Sequence, residues 1–289
     1  MQIIKHFLSH KTVLIFLTVF KCGMFGCFAQ NTQDSLQNDP YKALIEKSFE
    51  AGNKGEYNLA EKFLQEAINL QPDNPFNSML MNNIAGIQQL EGKEKEAINT
   101  YSKALSLMPE EQTIRHNRAL LYAKMGMDTE AISDYSILIS RAPKNEVYLY
   151  QRAMLYMANK KYTSAEIDLN EIIKNNDNSL RARMGYAWLE TMRGNYDAAE
   201  RLYAYLISKL SDNSEVYEGR ARMYFARNMN GFALRDVNKA FDLSGNKVSP
   251  TLYILRGEIN LKLGDKKSAA KDFEVARKID PKVAIPQIQ

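Results

Sequence analysis

Residues 112–145 read QTIRHNRALLYAKMGMDTEAISDYSILISRAPKN, and residues 146–179 read EVYLYQRAMLYMANKKYTSAEIDLNEIIKNNDNS. Aligned at an offset of 34 residues, the two segments share Arg and Ala at positions seven and eight, Ala at position twenty and Asp at position twenty-three. The same offset extends without a gap to units that begin at residues 180 and 214, and further units begin at residues 41, 78 and 250. A repeat of this length indicates stacked supersecondary units that bury a continuous core between them.

Small residues recur in two columns of the alignment. Position eight holds Ser48, Ala85, Ala119, Ala153, Ala187, Ala221 and Gly257, and position twenty holds Ala60, Ala97, Ala131, Ala165, Ala199, Ala233 and Ala269. Larger apolar residues follow position twenty by four residues, which keeps them on the same face of a helix. The columns predict two helices per unit that cross closely where the side chains are small.

Residues that end helices stand between and after the two predicted helices. Position fifteen holds Gly55, Gly92, Gly126, Gly194 and Gly264, with Lys160 and Asn228 in the remaining units. Glycine there is typical of a left-handed residue that ends a helix. Proline ends the second helix at Pro72, Pro109, Pro143 and Pro281.

These columns resemble the tetratricopeptide repeat family, and the resemblance covers residues 41–283. It implies an all-α solenoid of seven helical hairpins that stack into a right-handed superhelix, with the first helices lining a concave wall. Asp177, Ser211 and Gly245 depart from the family pattern, because proline is expected at their positions. In a repeat array the ends need polar caps, and the charged last helix fits that role. A short tail, residues 284–289, follows it and is too short for another helix.

The N-terminus has the three-part pattern of a secretory signal peptide, residues 1–29. Lys5 and Lys11 precede an apolar run, residues 12–20, that is too short to span a bilayer, and residues 27–29 end it in small-x-small form. A polar linker follows at residues 30–40. The pattern predicts an exported protein, periplasmic or secreted, and suggests a bacterial source. Gly26 before Cys27 leaves open an outer-membrane lipoprotein, lipidated at Cys27 and attached to the membrane only in that case.

Arginine at position seven and aspartate at position twenty-three occur in the same four units. The pairs are Arg118 with Asp134, Arg152 with Asp168, Arg220 with Asp236, and Arg256 with Asp272. The remaining units lack both residues. We interpret the pairs as structural links between the two helices of a hairpin, since a planar guanidinium suits a carboxylate partner. The alternative is a ladder of arginines for an acidic ligand.

Composition argues against most kinds of catalytic and cofactor site. Both cysteines and two of the three histidines lie before residue 30, so the repeats hold no thiol and only His116. Neither a phosphate-binding glycine loop nor a zinc or calcium motif is present. Three of the 38 lysines and arginines lie in residues 1–30, so 35 basic residues stand against 34 acidic residues in the rest of the chain. This near balance of charge gives no support for nucleic-acid binding. We expect no metal and no cofactor, and a protein that is not an enzyme.

A partner-binding surface is expected on the concave wall, which the family resemblance assigns to positions two, five, nine and twelve. Candidate residues there are Leu120, Tyr150, Met154, Met157, Met184, Trp188, Arg222 and Phe225. Aromatic, Met and Arg side chains favour protein interfaces, although the same residues could instead pack between repeats. Members of the family that bind chaperone C-termini use a Lys/Asn clamp, and this chain has other residues at those positions.

Two functions follow from this surface. The first is a scaffold that holds a peptide or protein partner in the groove, and the alternative is a lipid-anchored subunit of a cell-envelope assembly or transport complex. The step from repeats to binding rests on the family resemblance, because a fold alone does not determine a function.

Overall fold

A computed structural model describes residues 39–246, 248–281 and 283–286, and within them every regular element is an α-helix. The predicted signal peptide, Cys27 and most of the linker lie outside these residues. The all-α prediction is confirmed for the described part of the chain. The fourteen helices are α1 Pro40–Asn53, α2 Tyr57–Leu70, α3 Asn77–Leu90, α4 Glu94–Leu107, α5 Gln112–Met125, α6 Asp128–Arg141, α7 Glu146–Ala158, α8 Tyr162–Asn175, α9 Leu180–Arg193, α10 Tyr196–Lys209, α11 Ser214–Ala226, α12 Asn230–Ser244, α13 Pro250–Lys262 and α14 Lys266–Ile279.

The helices form seven hairpins, divided between two compact units. Of the described residues, those up to Pro143 form the N-terminal unit with α1 to α6, and those from Lys144 onward form the C-terminal unit with α7 to α14. Within each unit, both helices of a hairpin pack together, and the second helix also contacts the first helix of the next hairpin. In the C-terminal unit the first helices α7, α9, α11 and α13 contact one another in that order.

The cores of the hairpins lie at the two columns of small residues. All seven alanines at position twenty are fully buried, and so are the alanines at position eight. The aromatic and aliphatic residues at position twenty-four fill the space that these small residues leave. Tyr101, Tyr135 and Tyr203 are each 0% exposed there. Close packing of this kind is sensitive to the volume of single methyl groups.

The turn inside every hairpin requires one residue in the left-handed conformation, at position fifteen. Five glycines adopt it with φ between 74° and 86°. Asn228 and Lys160 adopt the same conformation with φ of 62° and 57°. Lys160 therefore has the same backbone conformation as the glycines at position fifteen, although its β-carbon brings a steric penalty in the left-handed region.

Side chains cap most of the first helices at their N-termini. Asp39, Glu111, Asn145, Ser179, Asn213 and Ser249 each accept a hydrogen bond from a backbone N–H in the first turn. Each cap satisfies a donor that has no partner inside the helix. The caps thus fix where the first helices, which carry the candidate surface, begin.

Candidate partner-binding site

The four predicted arginine–aspartate pairs are in contact within their hairpins. Arg118 donates from Nε and Nη2 to the two carboxylate oxygens of Asp134, both at 2.8 Å. The same two-point geometry joins Arg152 to Asp168, Arg220 to Asp236 and Arg256 to Asp272, at 2.6–2.9 Å. The four aspartates are between 2% and 5% exposed. Each aspartate thus uses both carboxylate oxygens, and each arginine two N–H donors, for a contact inside the hairpin, as a structural role requires.

An aromatic ring accompanies each of these guanidinium groups. Tyrosines four residues further along lie 5.6–5.7 Å from the guanidinium carbon of Arg118, Arg152 and Arg220. The sequence pattern Arg-Ala-x-x-Tyr, at residues 118, 152 and 220, could have revealed them. Arg256 instead lies 3.6 Å from the ring centroid of Phe241. Cation–π contacts of this kind add to the stability of each pair.

A second guanidinium joins one of the pairs. Arg115, 8% exposed, donates from Nη1 to Asp134 at 3.2 Å and from Nη2 to the carbonyl of Pro109 at 2.7 Å. Its place three residues before Arg118, on the same helix face, is the only trace of this contact in the sequence.

The first two hairpins lack an arginine–aspartate pair, and neutral hydrogen bonds join their helices. Ser48 donates to the carbonyl of Ala60 at 2.9 Å in the first hairpin. In the second, Thr100 donates to Gln88 at 2.8 Å. On α9, the Tyr186 hydroxyl donates to Asn170 of the preceding hairpin. The ion pair is therefore one of several ways to join these helices.

The first helices of the C-terminal unit carry the residues that were predicted to bind a partner, except Leu120, which lies on α5. We call the side chains at positions two, five, nine and twelve of α7, α9, α11 and α13 the first-helix face. Its members include Tyr150, Met154, Met157, Arg181, Met184, Trp188, Glu215, Glu218, Arg222, Phe225, Ile254, Glu258 and Leu261. Arg181 of α9 lies beside Tyr150 of α7, with its guanidinium carbon 6.0 Å from the centroid of the ring.

Several of the predicted binding residues are mainly packing residues. Met154 and Met157 are 1% and 0% exposed, so they offer no surface to a partner in this structure. Met184, Trp188 and Arg222 retain 8%, 5% and 9% of their surface. The side chains that stay partly exposed are Tyr150, Phe225 and, on α5 of the N-terminal unit, Leu120. Met154, Met157, Trp188 and Arg222 stand at positions nine and twelve of first helices that contact the neighbouring first helix.

Charged groups occupy the α11 and α13 end of the first-helix face. Arg222 donates to Glu218 Oε1 from Nε at 3.2 Å and from Nη2 at 2.6 Å, and both residues are buried. Burial raises the pKa of Glu258, and the positive charge of Arg222 partly opposes that rise. Burial also raises the pKa of Tyr150, with Glu215 acting in the same direction and Arg181 against it. Both of these ionisable groups therefore lie where their contact with water is reduced.

His116 is a packing residue on α5. Its ring meets Tyr135 edge-on with centroids 5.7 Å apart, and burial lowers its pKa to about 4. The folded chain therefore resists a proton that the unfolded chain binds near pH 6.5, so stability falls as the pH drops through the interval between the two values.

For His116 we expect about 1 kcal/mol of stability to be lost between pH 7.0 and 5.5. Urea unfolding of the wild type and of His116→Gln at both pH values measures this loss. The variant should show a smaller pH dependence. If the free energy of unfolding changed equally with pH in both proteins, the lowered pKa of His116 would be contradicted.

Two kinds of feature are missing from the part of the chain that the structure describes. No group of three or more His, Cys, Asp or Glu side chains in residues 39–246, 248–281 and 283–286 is placed to hold a metal ion. In the same part of the chain no helix combines the length and apolar character that crossing a membrane requires.

Comparison with known proteins identifies the family. Sequence models described as tetratricopeptide repeat match residues 41–74, 116–145, 150–215 and 250–283. The crystal structure of a tetratricopeptide repeat protein from Parabacteroides merdae is 40% identical, covers 84% of this chain and 94% of its own, and superposes with a TM-score of 0.77. The chain belongs to the tetratricopeptide repeat family. The resemblance read from the repeat columns is thereby confirmed.

Two more distant proteins are similar to part of this sequence or to its fold. The photosystem I assembly protein Ycf3 of Prochlorococcus marinus (strain NATL2A) is 32% identical over 91 residues, which are 32% of this chain and 52% of that protein. The chain thus spans about half the length of the curated relatives it matches. Yeast Tom70 shares 15% identity over 87% of this chain and 56% of its own, with a TM-score of 0.64, and shows the likeness of fold alone.

Proposed function

We propose that this protein is a non-catalytic scaffold that binds an extended peptide or a protein partner on the first-helix face of its C-terminal unit. Tetratricopeptide repeat proteins are generally scaffolds for protein interactions, and the Ycf3 relatives carry the name of an assembly protein. A role in holding other proteins is in keeping with both.

The observation that carries the proposal is the mixture of side chains that keep exposed surface on this face. Tyr150, Phe225, Ile254 and Leu261 are partly exposed, and the last three lie on α11 and α13 within four residues of Arg222 or Glu258. Aromatic and aliphatic groups near fixed charges resemble the centre of a protein interface, where a few anchors supply most of the binding energy. Trp188, Met154 and Met157, which belong to the same face, are buried.

Site-specific photocrosslinking can test which surface binds. We expect p-benzoylphenylalanine at position 225, on the first-helix face, to capture partner proteins in cells. The matched control is the same replacement at Phe232, which is 46% exposed on the second helix α12. Both substitutions exchange one aromatic ring for a larger one, so they differ mainly in location.

The two positions separate the competing surfaces. Partners captured at residue 225 and absent at residue 232 support binding on the first-helix face. Capture at residue 232 alone would reject that face and favour the alternative of a subunit that uses its outer helices within an envelope complex.

The export of the protein is a separate part of the proposal. The charged start, the apolar run and the small-x-small ending of residues 1–29 support secretion to the periplasm or beyond, and Gly26-Cys27 supports lipidation as the alternative. Mass spectrometry of the N-terminal peptide from the mature protein distinguishes the two. A chain that begins at Gln30 indicates secretion, one that begins at a lipidated Cys27 indicates an anchor, and one that retains Met1 rejects export by either route.

A further inference from the structure

Four large apolar side chains are exposed at one end of the first two hairpins. They are Leu70 and Leu107, the last residues of α2 and α4, with Phe76 directly before α3 and Met108 directly after α4. Each is between 38% and 57% exposed. We call these four residues the hairpin-end patch. At the position of Leu70 and Leu107, the next three hairpins have the polar residues Arg141, Asn175 and Lys209.

Hydrogen bonds join the segments that carry the patch. Asn77, at the start of α3, donates from its side chain to the carbonyl of Gln71, directly after α2, at 2.7 Å. The hydroxyl of Ser78, the next residue of α3, donates to the sulfur of Met108 at 2.7 Å. The end of α2, the start of α3 and the end of α4 therefore meet. Apolar surface that is exposed on adjoining segments in this way is typical of a binding surface.

The first described helix starts beside this patch. Asp39 caps α1 and accepts a hydrogen bond from the backbone N–H of Tyr41 at 3.0 Å. The hydroxyl of Tyr41 in turn donates to the side-chain oxygen of Asn77 at 3.0 Å. The preceding part of the chain therefore joins the described structure next to the patch. Between the apolar run, residues 12–20, and Asp39 lie 18 residues, which can span at most roughly 60 Å. The patch is thus within reach of the run.

The charges that border the patch are opposite to those that border the apolar run. Asp73 is exposed in the loop between α2 and α3. Glu110, two residues after Met108, has a side chain that is 80% exposed and pairs with an arginine of α6 at 2.8 Å. Lys11 and Lys21 flank the apolar run, and the chain up to Lys21 contains no acidic residue. Complementary charge of this kind favours association of the two apolar surfaces. An anionic lipid surface is a poorer match, because its charge has the same sign as these carboxylates.

We propose that the hairpin-end patch binds the chain's own apolar run, residues 12–20, before residues 1–29 are removed. The contact takes apolar surface of both segments out of water, and the short connection to Asp39 raises the local concentration of the run. A bound run is withheld from other proteins, so folding of the first two hairpins competes with export of the chain. The contact lies within the N-terminal unit and does not depend on binding by the first-helix face.

Disulfide formation in the full chain tests this contact. Cys22 follows the run by two residues, and no cysteine occurs after Cys27. Cell-free translation without membranes retains residues 1–29, and Cys27→Ser leaves Cys22 as the single thiol. Ser106→Cys then adds a thiol beside Leu107. Ser140→Cys is the matched control, because both serines are exposed at the same position of successive hairpins and both donate to a carbonyl three residues earlier at 2.7 Å.

Under mild oxidation, we expect the disulfide to Cys22 to form about fivefold faster at residue 106 than at residue 140. Leu70→Asp in the patch, or Phe16→Asp in the run, should remove this difference, because either places a charge in the apolar contact. Ile279→Asp should leave the difference unchanged, since Ile279 is 51% exposed at the position of Leu70 in the last hairpin. Thermal melting of each variant shows that it is folded before oxidation.

Three results would overturn the inference. The first is an equal rate at residues 106 and 140, and the second is a difference that persists in Leu70→Asp. The third is a disulfide at residue 106 that joins two chains, which mass spectrometry detects as a doubled mass and which would assign the patch to a second copy. None of these results bears on photocrosslinking at residue 225, so this inference and the proposed function can fail separately.

Discussion

Replacement of Asp168 by alanine is expected to destabilise the C-terminal unit by about 3 kcal/mol, because it removes one partner of a buried ion pair and leaves the other in place. Asp168 is 2% exposed and accepts two hydrogen bonds from Arg152, whose side chain is only 18% exposed. The arginine would keep its charge with too little water to replace the carboxylate. Denaturant unfolding followed by the fluorescence of Trp188, in the same unit, measures the change.

Two further variants sharpen this experiment. Asp242→Ala makes the same replacement at an exposed position of α12 and should change stability by less than about 0.5 kcal/mol. Arg152→Met combined with Asp168→Leu replaces the pair by apolar groups and should recover most of the loss, since charge burial is then avoided. An Asp168→Ala protein as stable as the wild type would show that the pair has no structural role.

The repeat architecture could be predicted from the sequence because its causes are local and recur seven times. The small residues at positions eight and twenty, and the turn residue at position fifteen, each reflect a steric demand that every hairpin repeats. The co-occurrence of arginine and aspartate likewise led to the contacts between Arg118 and Asp134 and their counterparts. A pattern seen once would not have supported the same inference.

Features that depend on neighbours in space could not be predicted in this way. Lys160 adopts the left-handed conformation because the helices on either side fix the turn, although its own preference is against it. Met157 and Trp188 stand at positions that face either a groove or the next first helix, and periodicity does not distinguish these environments. The second guanidinium on Asp134, from Arg115, required knowledge of a loop carbonyl at Pro109.

Gly257→Ala is expected to destabilise the last hairpin by about 2 kcal/mol, because a methyl group there would overlap a buried ring. A β-carbon at residue 257 would lie 2.8 Å from Cδ1 and 2.9 Å from Cζ of Phe273, and closer still to Cε1. Phe273 is 4% exposed, so its ring has little room to move. The gain in helix propensity from glycine to alanine, at most about 1 kcal/mol, opposes the effect without cancelling it.

Gly231→Ala is the matched control, since a β-carbon at residue 231 of α12 would meet no atom within 4 Å. We expect that variant to be as stable as the wild type or slightly more stable. Adding Phe273→Leu to Gly257→Ala should restore stability, because Ala153 and Leu169 already combine these two side chains in the hairpin of α7 and α8. If Gly257→Ala unfolded at the same urea concentration as Gly231→Ala, the ring of Phe273 would have to be free to shift. The small residues at position eight would then reflect helix preference instead of close packing.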